Sequence, residues 1–486
     1  MIYKVFLLAA VLLPIVSGAA LLFLKIRNDK ARNIATFVVS IINLGLVIGA
    51  LVSGSGESFV LYDTGFALKI TFGLDGMSRF FSLIVSVLWP FSLLYAYEYM
   101  EGEENKNSFF AFFMMTLGSV IGVSFAGDLF TMYIFYELIT LFTFPLVMHE
   151  RTKEAVSAGR KYLVYMLGGA GFALMGLIVI LNISGTVTFT EGGFLGSAAT
   201  QYGSLIPFIF LVMFLGFGVK AAIMPFGKWL IHAAVAPTPV TALLHAVAVV
   251  KAGAFAVIRL IYYSFGTEAL RGTYAQYAAM GFCILTILYG SYMAVRMPHI
   301  KKRLAYSTIS NLSYVVFAAC IMTPAGLYGS LSHFLVHALT KIALFFCIGA
   351  VMHVTGKTLI SQIGGYGRKM KVIFTCFLVC SICLIGIPPF SGFISKFNII
   401  EAAIEEGSVA SYIGGGAIII SAILTAIYLM TVVVKAFFPE DGIPSEGLEL
   451  AHDPGIRMKT PIVLFSAVIF VVGLGWGYIE SFLTLI

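Results

Sequence analysis

Apolar residues run along this chain in stretches of about twenty, parted by short loops that hold most of the charge. A bilayer's hydrocarbon core takes about 20 helical residues to cross, so such stretches read as membrane spans and not as buried core helices. The pattern predicts about fourteen, near 5–24, 34–52, 76–97, 108–126, 129–148, 161–183, 206–235, 238–262, 275–295, 302–322, 325–351, 370–406, 411–437 and 461–484. The predicted fold class is therefore an all-α polytopic membrane protein, one integral membrane domain over 1–486 with no low-complexity linker. The seventh and twelfth stretches are too long for a simple crossing. The former contains Pro225 and the latter Pro388 and Pro389. Proline removes a backbone donor and breaks a helix where it falls. Each is expected to be two half-helices around a break, which survives at membrane depth only inside protein or beside water.

The loops test this count, because cytoplasmic loops are rich in Lys and Arg. Alternate loops hold Arg27, Lys30 and Arg32; Arg151, Lys153 and Arg160; Arg296, Lys301, Lys302 and Arg303; and Lys357, Arg368, Lys369 and Lys371. The loop after the third span is acidic (EGEENKNS) and lends no support. The alternation implies an even number of spans with both termini outside, in a prokaryotic cytoplasmic membrane. The N-terminus has the look of a signal peptide, but its apolar run reaches Leu24 before Lys25 and Arg27, so it reads as a retained first helix.

Composition agrees: 60% of the 486 residues are hydrophobic and 11% charged, where a soluble domain has about a quarter charged. The net charge of +7 reflects loop cations that carry topology and is no nucleic-acid footprint. Cys376, Cys380 and Cys383 cluster in TCFLVCSICLIG without a carboxylate or His beside them, so they read as small packing residues and no metal site is expected. No nucleotide loop, dinucleotide fingerprint or iron–sulfur cysteine set is present, so no cofactor and no redox catalysis by the chain itself are expected.

What the spans carry changes the picture. Glu137 lies mid-span in LFTMYIFYELITLFTFPLVM, and Lys220 five residues before Pro225. His245 and Lys251 lie in TALLHAVAVVKAGAF, and Lys396 follows the second break. In SHFLVHALTKIALFF, His333, His337 and Lys341 stand four apart, which makes one helical stripe with a rise of roughly 6 Å between neighbours. Five such charges placed in lipid would cost on the order of 12–17 kcal/mol. They must face protein or water, and pair. One Glu–Lys pair alone could simply lock two helices, and a lone His in a span is more often a packing residue. The set as a whole points to ion movement. Burial lowers a lysine's pKa and a nearby carboxylate raises it, while histidine titrates near neutrality. A file of Lys and His bridged by water is a proton wire, with the glutamate as a switch on the first lysine. Sodium would need several oxygens, and the deep polar side chains are mostly nitrogen donors.

At these residues the sequence resembles the antiporter-like subunit family shared by respiratory complex I, Mrp-type sodium/proton antiporters and membrane-bound hydrogenases. The resemblance runs from about Gly73 to Lys435 and is carried by FYELITLFTFPLV, GVKAAIMPFGKWLIHAAVAPTPVTALLHAVAVVKAG, RLAYSTISNLSYV, HFLVHALTKIALFF and GIPPFSGFISKF. It implies a fourteen-helix fold with broken helices seven and twelve and two inverted five-helix repeats, about 108–262 and 275–437. It also implies roles: Glu137 and Lys220 as the paired residues of helices five and seven, Lys251 and His245 as the helix-eight connection, His333, His337 and Lys341 as the central relay, and Lys396 as the terminal residue. Lysine at 396, and no long lateral helix after Ile486, look like the D-type Mrp subunit or its hydrogenase counterpart.

The expected function is a proton-translocating subunit of a multi-subunit complex, with other membrane subunits, including further antiporter-like ones, as partners in the lipid bilayer. Protons are the transported species, and sodium would be coupled only indirectly. Two other readings stand beside it. One is an independent cation-coupled transporter of a small organic solute, which needs a ligand-sized cavity at the breaks. The other is a scaffold subunit with vestigial charges.

Overall fold

A computed structural model of the chain describes residues 2–24, 26–54, 56, 58–65, 68–196, 198–439 and 447–484; Lys25, read above as closing the first span, lies outside them. Each of the fourteen predicted spans has a helical counterpart. The first six are α1 (Ile2–Leu24), α2 (Asp29–Ser53), α3 (Gly76–Tyr99), α4 (Lys106–Phe125), α5 (Leu129–Val147) and α6 (Lys153–Ser184). The seventh is split by its proline into α7a (Leu205–Gly218) and α7b (Lys228–Ala233). After the eighth come α9 (Tyr274–Arg296), α10 (Ile300–Cys320) and α11 (Pro324–Thr355). The twelfth is split into α12a (Lys371–Ile385) and α12b (Ser391–Glu406), and α13 spans Val409–Phe437. Among the described residues, eleven stretches are long and apolar enough by themselves to cross a bilayer. The other three are the two proline-split spans and α10, whose length is dotted with serine, threonine and asparagine.

Two interruptions were not predicted. The eighth span divides into α8a (Thr238–Ala246) and α8b (Val249–Arg259), which runs on as a π-helical turn, Leu260–Phe265. Neither Pro nor Gly stands at this break. The amides of Val247 and Ala248 both donate to the Leu243 carbonyl, at 3.1 and 2.9 Å, so the turn is widened rather than cut. The last span divides at Gly475 into α14a (Ile456–Leu474) and α14b (Trp476–Leu483). The fold is all-α as expected, with one short extramembrane addition. Between α2 and α3, β1 (Phe59–Asp63) and β2 (Lys69–Phe72) form an antiparallel hairpin in which Phe59 faces Phe72 and Asp63 faces Lys69.

α11 is the axis of the bundle. It packs on α8a, α10, α12a, α12b and α14a, and 94% of its most apolar window is buried. The most apolar window of the segment from Thr238 to Phe265 is fully buried, whereas α1 and α2 are buried over only a third or less of theirs and form the periphery. Lipid is as apolar as leucine, so the packing forces between such helices are close contact and hydrogen bonds. Two glycines show how close. A Cβ at Gly392 would stand 1.7 Å from the Cys383 carbonyl, where α12b starts against α12a. A Cβ at Gly253 would stand 2.4 Å from the Ala221 amide and 2.9 Å from Lys220 Cβ, which seats α8b on the α7 break.

Candidate functional site

The breaks leave backbone groups without helical partners, and in hydrocarbon each must be satisfied by protein or water. At the first break the Trp229 indole donates to the Val219 carbonyl at 2.7 Å, and the Met224 amide donates to Thr286 Oγ1 at 2.9 Å. The chain turns left-handed at Ala222, with φ +58°, a conformation that costs a non-glycine residue roughly 1–2 kcal/mol. Lys220 stands just before this turn. Its Nζ donates to the Tyr136 carbonyl and to Glu137 Oε1, the latter at 3.3 Å, and lies 3.4 Å from the Tyr136 ring centroid. Lys220 is buried, whereas the Glu137 side chain keeps 23% of its surface open on the flank of α5. The predicted pair is therefore present, with its acid on the outside of the bundle.

At the second break a lysine does the capping. Lys396, one turn into α12b, donates to the carbonyls of Leu384 and Ile385 at 2.7 and 2.9 Å. Those are the last carbonyls of α12a, where the helix dipole is negative and favours a cation.

Between the breaks the predicted relay residues are all fully buried. The rings of His333 and His337 are 6.1 Å apart, as the four-residue spacing required. Lys251 reaches across from α8b and donates to the Phe334 carbonyl at 3.0 Å, between the two histidines in sequence. His337 lies within electrostatic reach of Lys251, Lys341, His333 and His245. His333 Nδ1 contacts Ser395 Oγ at 3.0 Å, the residue beside Lys396. Lys341 Nζ donates to Ser307 Oγ at 2.7 Å and to the Leu304 carbonyl at 3.2 Å. Six of the eight residues thus converge from Lys251 and His245 to Lys396. The Glu137–Lys220 pair adjoins them at Gly253, which sits against Lys220 and Ala221.

The histidines are chemically open. Both ring nitrogens of His245 and His337, and Nε2 of His333, have no hydrogen-bond partner among the described residues. A buried polar atom left unpaired costs about 1–3 kcal/mol, so such atoms are normally met by ordered water. The cysteines contact hydroxyls: Cys383 Sγ lies 3.6 Å from both Thr340 and Ser391, and Cys380 Sγ lies 3.4 Å from Ser466.

Comparison with known proteins now decides the family. The family described as NADH:quinone oxidoreductase/Mrp antiporter, TM, matches residues 126–425, a stretch that takes in all eight candidate relay residues. The chain belongs to this antiporter-like family. NADH-quinone oxidoreductase subunit L of Mycobacterium tuberculosis is 31% identical over 88% of this chain and 69% of its own length. Subunit N of Desulforudis audaxviator is 28% identical over 96% of this chain and 94% of its own. In structure, a chain of the Mrp complex from Dietzia sp. DQ12-45-1b superposes with a TM-score of 0.86 over 100% of this chain and 97% of that one; at 21% identity this likeness shows the fold.

Besides the candidate relay, this family member holds polar features whose surroundings sequence reading did not give: Arg259 was not named, and Arg303 was read as a loop cation but is buried. Arg259, fully buried, forms a two-pronged ion pair with Asp75 and donates to Ser78 Oγ at 2.9 Å. Burial works to raise the Asp75 pKa, but Arg259 and the amide and hydroxyl of Ser78 outweigh it and hold the carboxyl below its ordinary value. Arg303 donates to the carbonyls of Val295, Met297 and Tyr428 at 2.9–3.1 Å, tying α9, α10 and α13 at one end. Beneath it, hydroxyls of α9, α10 and α13 form a buried cluster around Ser421. A signal for the cluster was present in RLAYSTISNLSYV, quoted above only for its resemblance; an arginine inside the eighth apolar run was the signal for Arg259.

Proposed function

We propose that the chain is a proton-translocating antiporter-like subunit of a multi-subunit complex, seated in a prokaryotic cytoplasmic membrane with both termini outside. Protons are taken up near Lys220, pass Lys251, His245 and the His333–His337–Lys341 stripe, and leave by Lys396. The two sets α4–α8 and α9–α13 are read as inverted repeats, each with its fourth helix broken. The alternation of basic loops supports the orientation, and the family and its relatives support the complex.

One observation carries this reading: buried amines and imidazoles run from Lys251 through α11 to Lys396, with imidazole nitrogens left without a protein partner among the described residues. The pair at Glu137 supplies control, since its half-open carboxylate is placed to feel charge on a neighbouring subunit. Each proton moved against 100 mV needs about 2.3 kcal/mol, which a partner subunit must deliver. The solute-transporter reading has less support: the cavity at the α7 break, lined by Met224, Pro225, Lys228, Tyr289 and Tyr306, is about 240 Å³, where small-molecule sites run about 300–1,000 Å³.

The test is Lys220→Ala in the whole complex, reconstituted in vesicles and followed by a pH-sensitive dye. Transport should vanish while the subunits still co-purify. Full transport in that variant returns the chain to a scaffold role.

A further inference from the structure

Away from the relay, a groove of about 460 Å³ opens where the start of α2, the end of α3 and the start of α14a meet. Four cations line it, Lys30, Arg32, Lys106 and Arg457, against two acids, Asp29 and Glu101. Asp29 is engaged by Arg32 at 2.8 Å and by Lys106 at 2.5 Å. Lys30 and Arg457 are exposed, and neither takes part in an ion pair among the described residues. Arg32 is only 3% exposed, yet its Nε has no hydrogen-bond partner among the described residues. Beyond the cations the wall turns apolar, with Ile34, Phe37, Val38 and Leu94. Exposed Ile41, Ile42 and Ile48 carry the same face of α2 onward from Ile34 and Val38. From residue 34 to 48 this stripe is about 21 Å long, and one leaflet's hydrocarbon is about 15 Å thick.

We propose that this groove binds one anionic phospholipid, its phosphate held by Lys30 and Arg457 and an acyl chain laid along the α2 stripe. The inference is independent of the proton relay. Basic pockets between membrane helices suit anionic headgroups, and here the cations outnumber the acids by two. Asp29 already holds Arg32 and Lys106 in place. The unpaired Lys30 and Arg457 stand on different helices, α2 and α14a, so one phosphate between them ties the periphery of the bundle to α14a. The cations alone would draw any phosphate; the apolar stripe beside them selects one that carries a chain. A neighbouring subunit fits less well. It would have to bring a carboxylate to the membrane, where acids within spans are costly, whereas a lipid phosphate already lies at the depth of a helix end.

The test uses the whole complex in mixed micelles with a phosphatidylglycerol that carries a photoactivatable diazirine on its acyl chain. Peptide mapping should find the label within residues 34–48, and unlabelled phosphatidylglycerol should compete at least tenfold better than phosphatidylcholine. Lys30→Gln combined with Arg457→Gln should cut labelling about thirtyfold, since each cation near an anionic headgroup contributes about a factor of five. Val38→Trp fills the apolar wall and leaves the cations. It should also cut labelling, which keeps the test decisive if the double variant misassembles. Equal competition by the two lipids would make the groove ordinary lipid-facing surface and overturn the proposal. Glycerol phosphate competing as well as phosphatidylglycerol would mean that only an anion is held, and an unlabelled parent complex would mean that a neighbouring subunit covers the groove. Either result also overturns it.

Discussion

At the break in α7, Lys220 meets a carboxylate; at the break in α12, Lys396 meets backbone carbonyls. Both lysines flank a Pro-Phe, but the first precedes it and the second follows it. That order decides the environment. Lys220 lies ahead of the turn and reaches sideways to α5, so beside the Tyr136 carbonyl it has a side-chain partner that can change charge or move. Lys396 lies beyond the turn and reaches back to α12a, so its partner is a helix end whose dipole is fixed. A single 3.3 Å contact to a half-open Glu137 suits a site that responds to its surroundings. Two bonds of 2.7 and 2.9 Å to carbonyls suit a site with one constant affinity. On the proposed relay reading, the first break would be the controlled end and the second the fixed end.

The largest expected effect separates proton carriage from helix capping at the fixed end. Lys396→Arg keeps a cation that can donate to both carbonyls, but a guanidinium does not release its proton. Transport should drop by about 10²–10⁴, the usual range for losing a proton-transfer group, with assembly unchanged. Retained transport would make Lys396 a cap only, and the comparison between the breaks would lose its second member.

Next in size is Glu137→Gln at the controlled end. A hydrogen bond to a charged group contributes about 1.5–3 kcal/mol, so the rate should fall about ten- to a hundredfold. Transport in this variant should also become insensitive to changes in the neighbouring subunit. An unaltered rate would mean that Lys220 works through the Tyr136 carbonyl alone.

A third experiment contrasts the mobile pair with a static one. Asp75 and Arg259 meet through two bonds, and Arg259 has no exposed surface. Asp75→Asn leaves that charge without its counterion, which costs about 3 kcal/mol, the low end for breaking a buried pair, because Asp75 keeps 32% of its side chain open. The thermal midpoint should drop while transport at permissive temperature stays near the parent's. The Asp75 carboxyl is held below its ordinary pKa, so its stabilisation is present above the ordinary carboxylate value and fades as pH falls through the lower folded one. Lost transport with an unchanged midpoint would move this pair into the relay.

Much of this was readable from the chain because membrane physics leaves few options. Apolar length gave every span, and Pro225 and Pro389 marked two breaks. The spacing of His333, His337 and Lys341 placed them on one face, and the rings are found 6.1 Å apart for the first two. The break at Val247–Ala248 had no such mark, since its cause is a shared carbonyl and not a residue type. The β-hairpin hid in a short stretch, FVLYD and KITF, that apolar length alone does not separate from loop. Hydroxyls escaped notice for a different reason: serine, threonine and tyrosine are cheap to bury when bonded, so the cost argument that exposes a lysine passes over them. Where the hydroxyls gather is therefore less legible than where the charges stand.

The smallest effect tests whether the contrast between the halves extends to the loops. His149, between α5 and α6, and His299, between α9 and α10, are each lowered by burial. Glu103 opposes the shift at His149, whereas Lys302 and Lys301 add to it at His299 and push that imidazole down to about 4. An unfolded histidine binds its proton near pH 6.5. Between about 6.5 and 4 the unfolded chain therefore holds a proton at 299 that the folded chain refuses, so stability is full above this window and is lost as pH falls through it. His299→Gln removes that loss. Its thermal midpoint should fall less steeply than the parent's across the window, by a margin on the order of 1 °C, and His149→Gln should flatten the profile less. Equal slopes in His299→Gln and the parent would show that the cationic second-half loop does not hold its histidine neutral, and would confine the difference between the halves to the two breaks.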